Sequence, residues 1–251
     1  MDVFLDKIAD YFKDLGDAFV LNFIKDNRWH YVTNGLKTTL IITFCSVIIG
    51  IVLGMIVASV RSTYDKNKDA FLKRGGFGVA LLRLFNAICK LYLTVIRGTP
   101  IVVQLLIMYY IVFASTRNAV PVAIAAFGIN SGAYVAEIFR GGIMAIDNGQ
   151  FEAGRSLGFN YFQTMIYIIM PQVFKNVLPT LCNEFIALLK ETSVSGYIAL
   201  QDLTKGIYII IGRTYSYYMP LLVLAGIYLI IVVILTRLVG KLERRLRSSE
   251  R

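Results

Sequence analysis

Residues 36–60, LKTTLIITFCSVIIGIVLGMIVASV, decide the fold class of this chain. Lys37, close to the start of the stretch, is its only charged residue. About 20 consecutive apolar residues are enough for an α-helix to cross the hydrocarbon core of a bilayer. This stretch therefore predicts a transmembrane helix, and we expect the chain to be an integral membrane protein.

The composition of the whole chain agrees with that expectation. Of 251 residues, 57% are apolar and 17% are charged, and the mean hydropathy is +0.64. Soluble domains are usually nearer half apolar and a quarter charged. A chain this apolar would collapse rather than remain disordered, and three cysteines, each in an apolar run, do not make a disulfide scaffold. We expect an all-α membrane protein with about five transmembrane helices, which would use roughly 100 residues.

The second span is predicted to be irregular. Residues 79–98 form an apolar helix in which Arg83, Lys90 and Arg97 recur every seventh residue as a cationic stripe. Such a helix would lie tilted at the interface or pack sideways on the bundle, with its basic side chains snorkelling outward. Gly98-Thr99-Pro100 interrupts it. The next apolar run, 101–115, is short for a full crossing, so the preceding helix supplies part of it. Further spans are predicted at residues 121–139, 173–189 and 220–238.

The distribution of charge predicts the orientation. The loop that follows the first span, residues 61–74, carries five cations and two acids, and the tail beyond Thr236 carries six cations and two glutamates. Cytoplasmic loops of membrane proteins are rich in Lys and Arg. We therefore expect a multi-pass protein of the bacterial cytoplasmic (inner) membrane, with the N-terminus outside and the C-terminus in the cytoplasm.

Three regions follow from this topology. Residues 1–35 form an extracytoplasmic segment whose apolar residues recur at helical spacing, which favours an amphipathic helix on the membrane surface. A helix packed on the protein itself is the alternative, and the orientation of this segment stays open. Residues 36–240 form the transmembrane domain, and residues 241–251 form a basic cytoplasmic tail.

Catalytic chemistry is not expected in this chain. His30 is its single histidine and has no partner at metal-ligand spacing, so no metal site is predicted. Gly35-Leu36-Lys37-Thr38 lacks the glycines with which a P-loop surrounds phosphate. We expect neither an enzyme nor a cofactor here. If the chain moves a solute, an ion gradient or another subunit must then supply the energy for that movement.

The loop at residues 141–171 is predicted to contain a structured hairpin. Its part from Asp147 to Pro171 reads DNGQFEAGRSLGFNYFQTMIYIIMP. Asp147 or Asn148 can cap a first helix, and Gly158 is suited to a left-handed helix end. Asn160 can begin a second short helix that ends before Pro171. An ordered loop of this length is usually functional, although it could merely connect two spans.

The hairpin carries a family resemblance. Glu152-Ala153-Gly154, then Gly158, then Ile168-x-Met170-Pro171, resembles the motif Glu-Ala-Ala, three residues, Gly, nine residues, Ile-x-Leu-Pro. That motif marks the permease subunits of binding-protein-dependent ABC importers. Gly154 and Met170 depart from it. Four other stretches resemble the polar amino acid branch of these permeases: residues 96–100 with Gln104, residues 131–142, residues 183–185, and residues 190–193.

The resemblance implies the type I ABC importer permease fold with a cytoplasmic coupling helix. Such a permease pairs with a second copy or a homologue, sits on two cytoplasmic ATPase subunits that bind ATP and Mg²⁺, and receives cargo from an extracytoplasmic binding protein. No nucleic acid is expected as a partner. The ATPase-coupling residues would be Glu152, Ala153, Gly154 and Gly158. The small Gly154 and Gly158 would let the partner approach the backbone closely.

Four residues are candidates for binding cargo. Ionisable groups inside spans are costly and are therefore suspected of a function. Glu184 and Glu191 lie seven residues apart on one face of the fourth span, and in family members that carry cationic amino acids, carboxylates in this stretch face the substrate. Gln104 offers a donor and an acceptor, and Arg97 could bind a substrate carboxylate. Each has a structural alternative: helix contacts for Glu184 and Gln104, neutralisation by Lys190 for Glu191, and the cationic stripe for Arg97.

Two other functions remain open at this point. A secondary transporter driven by an ion gradient would favour inverted repeats with broken spans, and we find no internal repeat. A membrane scaffold or receptor would bind partners without transport. The sequence does not identify the amino acid, its charge, or whether the two permeases are identical.

Overall fold

The computed structural model describes residues 2–73 and 76–248. These residues form ten α-helices joined by short π and 3₁₀ turns: α1 (Asp2–Phe19), α2 (Trp29–Lys73), α3 (Phe77–Gly98), α4 (Ile101–Ile107), α5 (Ala119–Met144), α6 (Asn148–Ser156), α7 (Tyr161–Thr164), α8 (Met170–Glu191), α9 (Leu203–Thr214) and α10 (Tyr218–Ser248). The all-α expectation is confirmed.

Five of these segments are long and apolar enough to cross a membrane, as the sequence predicts. Within the described residues they are Trp29–Lys66, Phe77–Gly98, Ala119–Met144, Tyr161–Ile198 and Tyr218–Leu246. At the second span, Phe77–Gly98 has the length and composition of a crossing, and the run after the Gly-Thr-Pro break forms a shorter apolar helix, Ile101–Val112. How the two share the crossing stays a prediction.

The first span continues further than predicted. We expected Arg61 to end it, but α2 runs on to Lys73. No glycine or proline occurs between Arg61 and Lys73, so nothing in the backbone stops the helix. Most of the basic loop is therefore a helical extension of the first span. Arg74 and the last tail residues, including Arg251, lie outside the described residues.

The centre of the fold is the pair α2 and α5. Gly50 on α2 lies against Ser131, and Gly128 on α5 lies against Ile49, so that the two backbones approach each other closely. Small residues at such contacts let membrane helices pack through van der Waals contact and interhelical hydrogen bonds. Ser46 Oγ donates to the carbonyl of Ile124 at 3.1 Å across the same interface. This pair is the frame on which the other helices are positioned.

The N-terminal segment forms the predicted helix, α1. Asn22, in the π turn that follows α1, donates to Ser216 Oγ at 3.4 Å, and a hydrogen bond with Tyr218 raises the pKa of Tyr11. These contacts tie the segment to the start of α10 and the residues just before it. Of the apolar positions that predicted the helix, the side chains of Phe4, Ile8 and Phe12 lie outside the described residues. The two contacts favour the alternative in which this segment packs on the protein itself.

Candidate functional site

The first helix of the hairpin, α6, begins as predicted. Asp147 Oδ1 accepts a hydrogen bond from the backbone N–H of Gly149 at 2.6 Å. This bond satisfies one of the N–H groups that lack a partner at the start of a helix. Glu152 and Ala153 are exposed on α6. Glu152 also lines the cleft that separates α6 from the end of α2. The part of the motif that begins with these two residues is therefore open to solvent.

Gly154 has a different role from the one suggested by the sequence. It is buried, and a Cβ added there would lie 2.6 Å from both Thr164 Cγ2 and Thr164 Oγ1. The small residue is needed where α6 contacts α7 inside the hairpin. This contact favours a packing role for Gly154 over close approach by a partner protein. Sequence spacing alone does not tell which side of a short helix is covered.

The turn between α6 and α7 matches the sequence prediction. Gly158 has φ +82°, which favours glycine, and an added Cβ would meet no atom within 4 Å. Asn160 and Gln163 form a reciprocal capping box that starts α7: the Asn160 side chain accepts from the Gln163 N–H, and the Gln163 side chain accepts from the Asn160 N–H. The start of α6, the turn at Gly158 and the start of α7 are therefore each fixed by local contacts or backbone conformation.

The second helix of the hairpin does not end before Pro171, contrary to our expectation. It passes through a π turn, Met165–Ile169, directly into α8. Pro171 lies in the first turn of α8, directly after the π turn. The hairpin is thus continuous with the fourth span.

Contacts with the helical extension of α2 hold the hairpin from the other side. Lys66 Nζ lies 3.8 Å from the centroid of the Phe151 ring and 3.4 Å from Asn148 Oδ1. The hydroxyl groups of Thr63 and Tyr161 lie 3.3 Å apart. A cleft of about 580 Å³ opens between the hairpin and α2, with Lys66, Asn148, Phe151 and Tyr161 among its lining residues. Sequence reasoning missed this support because it treated residues 61–74 as a charged loop.

The outer surface of the hairpin combines motif residues with two large apolar side chains. Leu157 is 72% exposed and Phe162 is 73% exposed. They lie beside the exposed Glu152, Ala153 and Gly158 in the chain. Sequence reasoning did not select Leu157 or Phe162, although a large apolar residue in a polar turn is a signal of a contact surface.

Glu184 lies against the central helix α5. Its Oε1 accepts a hydrogen bond from Ser131 Oγ at 2.9 Å, and the carboxylate is half-buried. Glu191 is the last residue of the same helix, α8, which is continuous between the two. Seven residues correspond to about 10.5 Å along an α-helix. The two carboxylates therefore share a helix, as expected.

Gln104 is fully used in holding the Gly-Thr-Pro break. The two N–H groups of its Nε2 are shared among three acceptors: the Ile96 carbonyl at 2.8 Å, the Thr99 carbonyl at 3.1 Å and Thr99 Oγ1 at 2.9 Å. Its Oε1 accepts from Asn130 Nδ2 at 3.0 Å. This geometry favours the structural alternative over cargo binding. Asn130 and Ser131 are neighbours, so one turn of α5 contacts both Gln104 and Glu184.

Arg97 belongs to a different cluster. Its Nη1 lies 3.4 Å from Glu137 Oε1. Glu137 also accepts from Arg140, with N···O distances of 3.0 and 3.1 Å. The structure therefore groups Arg97 with the far end of α5 rather than with Ser131 and Glu184.

Asp202, which sequence reasoning missed, is completely buried where α9 begins. Its side chain accepts from the backbone N–H groups of Thr204 and Lys205, each at 3.1 Å. The Leu203 N–H donates to Thr39 Oγ1 on α2 at 3.1 Å. An aspartate before the sequence LTKG is a signal of a helix cap that could have found it.

Comparison with known proteins gives the family. Residues 75–248 match the family described as binding-protein-dependent transport system inner membrane component. The chain is 35% identical over 223 residues to the arginine transport system permease protein ArtQ of Bacillus subtilis, which covers 88% of this chain and 94% of that protein. It is 35% identical over 219 residues to a putative glutamine transport system permease protein, GlnP, of Rickettsia typhi, which covers 86% of this chain and 93% of that protein.

A solved structure agrees with these relatives. A crystal structure of an amino acid ABC transporter with histidines is 38% identical to this chain, with a TM-score of 0.73 over 86% of this chain and 94% of the other. The five spans, the hairpin and these relatives point to the same class of transport subunit. The chain belongs to the inner membrane components of binding-protein-dependent transport systems, the permease subunits of ABC importers.

Proposed function

We propose that this permease moves a polar amino acid across the cytoplasmic membrane by alternating access, coupled through its hairpin to a separate ATPase. The similar proteins are named for transport of arginine and glutamine, which supports a polar amino acid as cargo. The chain itself is expected to be non-enzymatic, with ATP and Mg²⁺ bound by the partner.

The observation that carries the coupling role is that the hairpin is braced on two spans while its outer surface stays exposed. It continues into α8 and contacts the extension of α2 through Lys66 and Thr63. Leu157 and Phe162 remain exposed for a partner. A force on this surface would therefore move two spans together as a rigid body.

The remaining parts of the transporter follow from this proposal. A second copy or a homologue would complete the conduit on a twofold axis, two ATPase subunits would grip the two hairpins, and a binding protein would deliver cargo outside. The charge distribution supports a cytoplasmic C-terminus and an outer N-terminus. The division into residues 1–35, 36–240 and 241–251, with the hairpin in loop 141–171, follows the same topology.

For the cargo site, Glu184 is the strongest of the four candidates. Ser131 occupies one of its oxygens, which leaves the other able to bind an ammonium or guanidinium group. Glu191, at the end of the same helix, would form the second contact. Gln104 and Arg97 would hold neighbouring helices in position, because their observed partners are other groups of the protein.

The coupling role is tested by placing a bulky residue on the exposed side of α6. In the complex reconstituted with its ATPase and binding protein, Ala153→Trp should lower cargo uptake per ATP hydrolysed at least tenfold. The matched control is Lys241→Trp, at an exposed position on α10, which should leave this ratio unchanged. Equal coupling in both variants would refute docking on the hairpin.

A further inference from the structure

A basic cavity lies between α2, α3 and α5, outside the hairpin and away from Glu184. Its volume is about 410 Å³, and its polar lining residues are Arg61, Lys90, Thr94, Arg97 and Glu137. Three cations thus face one carboxylate. The cavity includes two of the three residues of the cationic stripe that the sequence places on the second span, and no role in transport has been proposed for Lys90.

The carboxylates of this region are already shared between arginines. Glu137 contacts both Arg97 and Arg140, and Asp65 lies 4.0 Å from Arg61 and 3.6 Å from Arg140. In the part of the chain that the structure describes, no carboxylate lies within 4.0 Å of Lys90. The region therefore contains four cations and two carboxylates and has an excess of positive charge. The cations are Arg61, Lys90, Arg97 and Arg140, and the carboxylates are Asp65 and Glu137.

Arg61 also has an unused donor. Its Nη1 donates to Asn86 Oδ1 at 3.2 Å, but its Nε is buried and has no hydrogen-bond partner among the described residues. A buried donor without an acceptor is costly. The charge excess and this donor both favour an anion in the cavity.

The depth of the cavity suggests which anion. Arg61 directly follows the apolar stretch 36–60, whose 25 residues span about 37 Å as a helix, more than the hydrocarbon core of about 30 Å. Arg61 therefore lies at the level of the lipid headgroups. On α3, close to Lys90 in the chain, Ile88 is 53% exposed and Leu91 is 65% exposed, and they offer an apolar surface along which acyl chains can lie.

We propose that this cavity binds the phosphate of an anionic phospholipid headgroup, with Lys90, Arg97 and Arg61 as its ligands. The lipid would neutralise the positive charge at the meeting point of α2, α3 and α5. Basic pockets between transmembrane helices are suited to such headgroups. On the orientation proposed above, the lipid comes from the inner leaflet.

The test is native mass spectrometry of the complete transporter, purified from nanodiscs that contain phosphatidylglycerol or phosphatidylcholine. We expect tightly retained phosphatidylglycerol in the wild type, about fivefold less in Lys90→Gln, and recovery in Lys90→Arg. Arg83→Gln is the matched control because Arg83 lies on the same helix but does not line the cavity. It should retain lipid as the wild type does. Size-exclusion profiles check that each variant stays assembled.

Three results would overturn the proposal. One is equal retention of phosphatidylglycerol in Lys90→Gln and the wild type. Another is equal retention of phosphatidylcholine and phosphatidylglycerol by the wild type. The third is displacement of the lipid by inorganic phosphate alone, since a site selective for free phosphate does not need the acyl chains.

Discussion

The contact between Gly154 and Thr164 predicts that Gly154→Ala destabilises the hairpin when Thr164 is present but not when Thr164 is replaced by alanine. Ordinary contacts between carbon atoms are about 3.5–4.0 Å long, whereas a Cβ at Gly154 would lie 2.6 Å from two atoms of the buried Thr164. Gly154→Ala must therefore push α6 away from α7 by about 1 Å. Overpacking of this kind costs about 1–3 kcal/mol, and alanine regains about 0.5–1 kcal/mol in a helix. We expect a net destabilisation of the hairpin by about 0.5–2 kcal/mol.

Thr164→Ala removes both clashing atoms. Its Oγ1 has no hydrogen-bond partner among the described residues, so its loss breaks no bond. The remaining contact, 3.1 Å to Thr164 Cβ, requires a shift of a few tenths of an ångström. In this background Gly154→Ala should be neutral or stabilising by about 0.5 kcal/mol. The coupling between the two substitutions should then be about 1 kcal/mol or more.

The assay is hydrogen exchange of the α6 amides in the assembled transporter, because exchange reports local opening. A destabilisation of about 1 kcal/mol corresponds to roughly fivefold faster exchange. Ser156→Ala, on the exposed side of the same helix, is the matched control and should show the same effect in the wild-type background as in the Thr164→Ala background. If Gly154→Ala accelerates exchange equally in both backgrounds, the packing explanation is refuted.

Three further predictions concern Glu184, Gln104 and Asp202. Glu184→Gln should weaken cargo binding more than assembly, which is measured by comparing cargo affinity with the yield of intact complex, and equal uptake would remove Glu184 from the site. Gln104→Ala should lower stability by about 1–3 kcal/mol because Asn130 loses its acceptor, whereas the exposed Val103→Ala should cost less than half as much in a thermal unfolding assay. Asp202→Ala should cost about 1–2 kcal/mol through loss of the α9 cap, and unchanged hydrogen exchange in α9 would contradict that assignment.

The local pattern of the sequence predicts much of this structure. Apolar length predicts five crossings, because a helix must satisfy its own hydrogen bonds in the bilayer. Asp147, Gly158 and Asn160 predict the ends of the hairpin helices, because caps depend on residues within one turn.

Contacts between distant parts of the chain could not be predicted in the same way. The support of Phe151 by Lys66 depends on the extension of α2 reaching the hairpin. From sequence alone, Gln104 is equally suited to cargo binding and to a helix contact. Its contacts with Thr99 and Asn130 in the structure favour the helix contact. The burial of Gly154 likewise depends on how α6 packs against α7.

The central claim is that the hairpin receives work from an ATPase that this chain does not contain. The most direct measurement is accumulation of radiolabelled amino acid in proteoliposomes, with the permease alone or with its ATPase and binding protein. The account predicts accumulation against a gradient only when the ATPase, ATP and Mg²⁺ are all present. Uphill accumulation by the permease alone, driven by a proton or sodium gradient, would contradict it and would favour a secondary transporter.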